Sequence, residues 1–306
     1  MQSGGCGAGA LGTLGDMADS FAARFAAARD RHGPLAIGAD PHGQVLGKWG
    51  ITDDADGLER FTDIVLSAAV GAVGLIKPQS AFYERHGWQG IRALTRLAET
   101  ARAEGLLVIL DVKRGDVGST NGAYAAAYLG DSAPIQADAV TVHPYLGLAA
   151  MGEFVDRAHQ SGACLLIVTR SSNPEGRAIQ SAMAAPGMTV DQRLLTDIAA
   201  FNARLAPGRI GPVGAVIGPG QVEPPLDLAA ANALFLAPGV GAQGGTPADA
   251  AAAFSACPDR VIPSASRSLL SPGPGIAALR DAAARLNAEF RARLGRAPDE
   301  QGAPRQ

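Results

Sequence analysis

LLVILDVKRGDVGSTNG, residues 106–122, opens with five consecutive apolar residues and then places Asp111, Lys113 and Asp116 just beyond them. An apolar run without alternation predicts a parallel strand covered on both faces. Charges at the end of such a strand are costly unless paired, so they mark either a structural ion cluster or a site. Seven further runs share this character: 35–40, 72–78, 137–145, 163–170, 213–219, 234–240 and 260–267. The segments between them carry helical spacing. Ile91, Leu94, Leu97 and Ala101 fall on one face, as do Ile276, Leu279, Ala283, Leu286, Phe290 and Leu294. Eight strands alternating with helices predict an α/β chain folded as a single-domain (β/α)8 TIM barrel. An open doubly wound sheet is the alternative, and eight regular units fit it less well. The connection 171–212 is longer than a barrel needs and is expected to carry an extra helical segment over 191–205.

The barrel is expected to span residues 16–296, between a Gly-rich flexible leader (1–15) and a polar tail (297–306). The leader has no Lys or Arg, so it lacks the basic start of a signal peptide, and no window is long enough for a membrane helix. The expectation is a soluble, cytoplasmic protein. A net charge of −3 gives no basic footprint for nucleic acid. Cys6, Cys164 and Cys257 fit neither a metal site nor a disulfide framework, and read as small core or surface residues.

In such a barrel, function gathers at the carboxyl ends of the strands. The first run ends in Asp40 with Pro41 and His42, the second in Lys77, the third in Asp111 and Lys113, the fourth in His143. The fifth ends in Thr169, Arg170, Ser171, Ser172 and Asn173, and the eighth in Ser266 and Arg267. Residues i and i+2 of a strand share a face, so Asp111 and Lys113 are expected to point together into the barrel mouth, where Lys77 arrives from the neighbouring strand. Asp116, beyond Gly115, either folds back over the mouth or reaches outward to another subunit. Alternating lysines and carboxylates favour preorganised electrostatics over a Schiff-base lysine, which usually sits desolvated or beside other cations. PGVGAQGG (238–245) leads into TPADA, with Thr246 as N-cap, Pro247 at the first helical position and Asp249 completing a capping box. With Arg267 on the following strand, this is where barrels commonly bind phosphate. His42, His86 and His143 read as hydrogen-bonded supporting or core residues rather than catalytic ones.

The D-x-K-x-x-D of DVKRGD, with Thr120 four places further on, resembles the orotidine 5′-phosphate decarboxylase family. The likeness covers residues 35–267 and includes IGADP, KPQSAFYERHG, TRSSNPEG, PGVGAQGG and the arginine of the eighth strand; two of these look like the longer-chain bacterial branch. The resemblance implies loss of CO2 from orotidine 5′-phosphate to give uridine 5′-phosphate, the last step of de novo UMP synthesis, with no metal or organic cofactor. It implies catalytic roles for Lys77, Asp111, Lys113 and Asp116, with Lys113 protonating the C6 carbanion. Asp40 and Thr120 would contact the ribose, Ser172 the pyrimidine, and Gln243 and Arg267 the phosphate. It further implies a homodimer in which Asp116 and Thr120 complete the neighbouring site. Between the last Asp and the Thr this chain carries Val117, Gly118 and Ser119, a departure from the usual residues.

Related barrels use the same motif for Mg2+-dependent chemistry on phosphosugars and look to carry an acid where this chain has Lys77, which repels a divalent cation. A barrel that binds ligand without catalysis is a third reading, and the retained charges argue against it. A metal-dependent hydrolase fits less well still, since no His-x-His ends a strand.

Overall fold

Short apolar strands buried along their whole length can satisfy their backbone only by pairing with one another, and here they pair into a closed ring. The computed structural model describes residues 20–220, 224–241 and 244–295. Helix α1 (Phe21–His32) leads into β1 (Ala36–Ala39), α2 (Gly43–Lys48) and α3 (Ala55–Ala69). Next come β2 (Leu75–Pro78), α4 (Ala81–Glu84), α5 (Gly87–Ala103), β3 (Leu107–Arg114), α6 (Gly118–Tyr128) and β4 (Ala139–Val142). The chain continues through α7 (Gly152–Gln160), β5 (Cys164–Arg170), α8 (Arg177–Gln180), the antiparallel ribbon β6 (Met183–Ala185) and β7 (Met188–Thr189), and α9 (Val190–Leu205). It closes with β8 (Val213–Ile217), β9 (Phe235–Ala237), α10 (Pro247–Ala253), β10 (Val261–Ala265), α11 (Arg267–Leu270) and α12 (Ile276–Leu294).

The barrel order is β1-β10-β9-β8-β5-β4-β3-β2, every pair parallel. Because β1 bonds both β2 and β10, the sheet has no edge, and the fold is the (β/α)8 barrel rather than the open sheet. The long connection holds α8, the ribbon and α9, so the extra helix expected over 191–205 is present and the ribbon is an addition.

Two apolar layers follow from the pleat. Leu58, Phe61, Phe154, Phe254 and Phe290 pack between helices and sheet. Leu75, Ile109, Leu166, Leu236 and Ile262 fill the barrel itself, joined by Phe21 and Phe25 of α1. Helix α1 sits at the amino-terminal ends of the strands. The Phe21 amide donates to the Gly162 carbonyl (2.7 Å) ahead of β5, and Arg24 pairs with Asp138 ahead of β4. That end is therefore plugged, and burying each phenylalanine stabilises the closure by about 1.5–3 kcal/mol. The opposite end stays open.

Helical periodicity located the buried faces of α5 and α12 with exceptions. Ile91 and Ile276 are exposed. In α12 the buried polar residue is Asn287, whose side chain accepts from the Leu35 amide (3.2 Å) and donates to the His32 carbonyl, tying the helix to the start of β1. Cys164 and Cys257 are buried, and burial pushes their thiols up to about 12 and about 11.

Candidate active site

At the carboxyl ends of the strands lies a cavity of about 860 Å³, floored by Val168, Val216 and Leu236 and ringed by polar side chains. The ring includes Asp40, Lys77, Asp111, Lys113, Ser172 and Arg267. Each comes from the carboxyl-terminal part of a strand or the turn after it, the end of the barrel where function gathers.

The centre of the ring is a row of charges. Lys77 Nζ donates to Asp111 Oδ2 at 3.1 Å, and Lys113 Nζ donates to Asp111 Oδ1 at 2.5 Å. Lys77 and Asp111 are 6% and 8% exposed, so water does little to screen this pair. Burial by itself would push the Asp111 carboxyl up. The ammonium groups of Lys77 and Lys113, with hydrogen bonds from Lys113 and Thr141, overcome this and hold it well below the usual carboxylate range. Burial likewise opposes the charge on Lys77, and Asp111 and then Asp40 reverse it, so its pKa is raised. Both groups stay ionised at neutral pH, a fixed field facing the cavity.

Strand geometry alone does not bring Lys113 to Asp111. Register with β4 slips between Leu110 and Arg114, and Lys113 itself has φ +44°. This bulge holds a non-glycine residue in the left-handed region, which costs on the order of 1–3 kcal/mol. Thr141 of β4 supports it: its hydroxyl accepts from the Lys113 amide (3.1 Å) and donates to Asp111 Oδ1 (2.7 Å). Gln79 closes the other side, its amide donating to Asp40 Oδ1 (3.2 Å) and its Oε1 accepting from Lys113 Nζ (3.4 Å). Sequence reasoning missed both residues. Thr141 was detectable as a lone hydroxyl within an apolar strand, whereas nothing local distinguishes Gln79.

Asp116 and Thr120 do not join this row. Neither lines the cavity of its own chain. The Asp116 carboxylate accepts from the Val117 amide (2.8 Å), while its backbone is clasped by the Asn121 side chain at the start of α6. Thr120 is exposed on that helix.

On the far wall, Gly239, Gly241 and Gly244 all have positive φ. A side chain at Gly241 would lie 2.7 Å from Ser268 Oγ, so only glycine lets this loop settle against α11. The expected capping box is present: Thr246 and Asp249 bond each other's backbone at the start of α10. Arg267 is exposed at the rim, and Gln243 lies outside the described residues.

Ser171, Ser172 and Asn173 line the cavity, whereas Arg170 faces away from it. Arg170 makes a buried ion pair with Asp191 of α9 (2.6 Å) and donates to the Pro224 carbonyl (2.6 Å), so it anchors the root of the long connection. His86 sits 3.4 Å from Asp53 and His143 lies off the cavity, while His42 lines it.

A closed parallel barrel, plugged at one end and carrying fixed charges round a cavity at the other, is the architecture of a (β/α)8 enzyme. Residues 34–282 match the model of the Orotidine 5′-phosphate decarboxylase / HUMPS family, and the chain belongs to that family. It is 47% identical over 276 residues to the orotidine 5′-phosphate decarboxylase of Salinispora arenicola, covering 90% of this chain and 99% of the relative. To that of Streptomyces coelicolor it is 44% identical over 273 residues, covering 89% and 98%. A crystal structure from Streptomyces avermitilis superposes with a TM-score of 0.86 at 44% identity, over 90% of this chain and 96% of the other. Among the described residues, no helix is long and apolar enough to cross a membrane.

Proposed function

We propose that this chain converts orotidine 5′-phosphate to uridine 5′-phosphate without metal or organic cofactor. The observation that carries the reading is the buried Lys77–Asp111–Lys113 row facing a cavity large enough for a nucleotide, in a chain of this family. In the proposed reaction the bond between C6 and the carboxylate breaks, CO2 departs, and its electron pair stays on C6. The Lys113 ammonium offsets that charge and then gives C6 its proton, and the neutral amine regains one from solvent. Asp111, fixed as a carboxylate, lies beside the departing group. Asp40 takes ribose hydroxyls, Ser172 the pyrimidine edge, and Gln243 with Arg267 the phosphate. Binding energy at the phosphate then serves the chemistry at the distant carbon.

The catalytic unit is proposed to be the barrel of residues 16–296, acting in the cytoplasm as a homodimer. Asp116 and Thr120, turned away from their own cavity, serve the site of the second copy in this reading. Magnesium-dependent phosphosugar chemistry fits less well, because a cation at Asp111 would meet the Lys77 ammonium, itself only 3.1 Å from that carboxylate.

The test is the ultraviolet absorbance of orotidine 5′-phosphate with purified protein in EDTA. Rapid loss of substrate absorbance is expected. No turnover in EDTA, together with a Mg2+-restored reaction on a phosphosugar, overturns the proposal.

A further inference from the structure

Two buried polar atoms on the cavity wall play no part in the chemistry above. His42 Nε2 and Ser266 Oγ have no hydrogen-bond partner among the described residues, and both residues line the cavity. Buried donors and acceptors are nearly always paired, because an unpaired one forfeits its hydration for nothing. Here the two lie on adjacent strand ends. Strand β1 pairs with β10 through Ile37 and Ala265, so Ser266 falls opposite Gly38, and His42 follows in the turn after β1. Arg267 is the next residue along.

The chain holds both side chains deliberately. A Cβ at Gly38 would stand 2.5 Å from the Ser266 Cβ, so the glycine is what lets Ser266 lie over β1. The Pro41 carbonyl accepts from Arg85 (3.2 Å), and Arg85 is itself clamped by Asp53, which pins the turn carrying His42. Phe82 packs against the imidazole, with ring centres 5.8 Å apart. Desolvation lowers the His42 pKa; Asp40 opposes this, while Arg267, Lys48 and Arg85 reinforce it. The ring is thus neutral at pH 7, with one N–H to give and one lone pair to offer.

We infer that His42 and Ser266 are additional ligand contacts, which together with Arg267 form the wall that receives the phosphate monoester of the substrate. His42 donates Nε2–H and Ser266 its hydroxyl to phosphate oxygens, beside the guanidinium that supplies the charge. A cation flanked by two neutral donors suits a dianionic phosphate ester better than a carboxylate, which has fewer acceptor oxygens to fill. The inference rests on the proposed nucleotide reading of the cavity and adds the residues that read the phosphate end.

The experiment measures uridine 5′-phosphate, uridine and inorganic phosphate binding to the full chain by calorimetry and phosphorus NMR. Wild type is compared with His42→Ala, His42→Gln and Ser266→Ala, each first checked for an unchanged thermal transition. His42→Ala and Ser266→Ala are each expected to weaken the nucleotide and inorganic phosphate by about tenfold while leaving uridine within about twofold. His42→Gln, which keeps a side-chain N–H, recovers part of the loss. Unchanged nucleotide affinity, or equal weakening of nucleotide and nucleoside, overturns the inference. A wild type that binds uridine 5′-phosphate with the expected dependence but leaves orotidine 5′-phosphate intact overturns the proposed function and leaves the phosphate wall standing.

Discussion

Replacing Asp111 by Asn removes one charge with almost no change of shape, and its cost follows from what surrounds it. Lys77 would keep its ammonium at a site where its side chain is only 7% exposed, with its direct partner gone. Stripping one member from a buried ion pair costs about 3–5 kcal/mol, most of it the penalty of the stranded charge. Lys113 adds little to this sum, because its side chain is 39% exposed and water screens it. Urea unfolding at pH 7 should therefore give a midpoint shift equivalent to about 3–5 kcal/mol with an unchanged slope. The double variant Asp111→Asn/Lys77→Met carries no stranded ammonium and should recover about 1–3 kcal/mol of the loss. The pH dependence has a definite sign. The folded-state pKa of Asp111 is depressed, so its contribution is complete above the unfolded value of about 3.9 and is lost as the pH falls through the folded-state value. The gap between wild type and Asp111→Asn should thus be flat from pH 8 to pH 5 and narrow only in acid. A single variant within about 1 kcal/mol of wild type, or a double variant no more stable than the single, refutes the reasoning.

Two further perturbations test the scaffold round the cavity. Gly38→Ala places a methyl 2.5 Å from the Ser266 Cβ and should cost about 1–3 kcal/mol in urea unfolding, while Gly50→Ala, with open space around it but positive φ, reports the backbone penalty alone. Asp191→Asn removes the carboxylate charge from the buried ion pair with Arg170, which keeps its bond to the Pro224 carbonyl, and should lower stability by about 3 kcal/mol. Because Arg170 roots the loop bearing Ser171, Ser172 and Asn173, its KM should rise more than its kcat falls, as steady-state kinetics would report.

The barrel was legible because every strand buried on both faces writes itself as an apolar run, and all eight runs became strands. The carboxyl ends of the second and fifth runs match their strands, whereas several others were read too long. The fourth run was taken through residue 145, but the strand stops at Val142, and the eighth stops at Ala265 rather than at Arg267. Hydrophobicity does not mark where a ladder ends, and beyond these stops the chain turns outward, with His143, Tyr145 and Arg267 exposed. Lys77, Asp111 and Lys113 were legible as charges that a strand end would not tolerate unpaired. The bulge that joins the last two was not, since a left-handed lysine depends on Thr141, 28 residues away. Arg170 illustrates the opposite error: its place at a strand end suggested the rim, but Asp191, a partner far along the chain, turns it into a buried anchor. The same limit applies to Asn287, hidden in a helix whose periodicity pointed to Leu286.

The account turns on Lys113 as the group that meets the charge at C6. The direct measurement is kcat for orotidine 5′-phosphate with Lys113→Ala at saturating substrate, beside wild type in the same EDTA buffer. Loss of a positioned proton donor costs about 10²–10⁴-fold, and loss of its charge adds to that, so a fall of at least a thousandfold is expected with uridine 5′-phosphate binding retained. A variant that turns over within about tenfold of wild type would contradict the account, because the proton at C6 would then come from elsewhere.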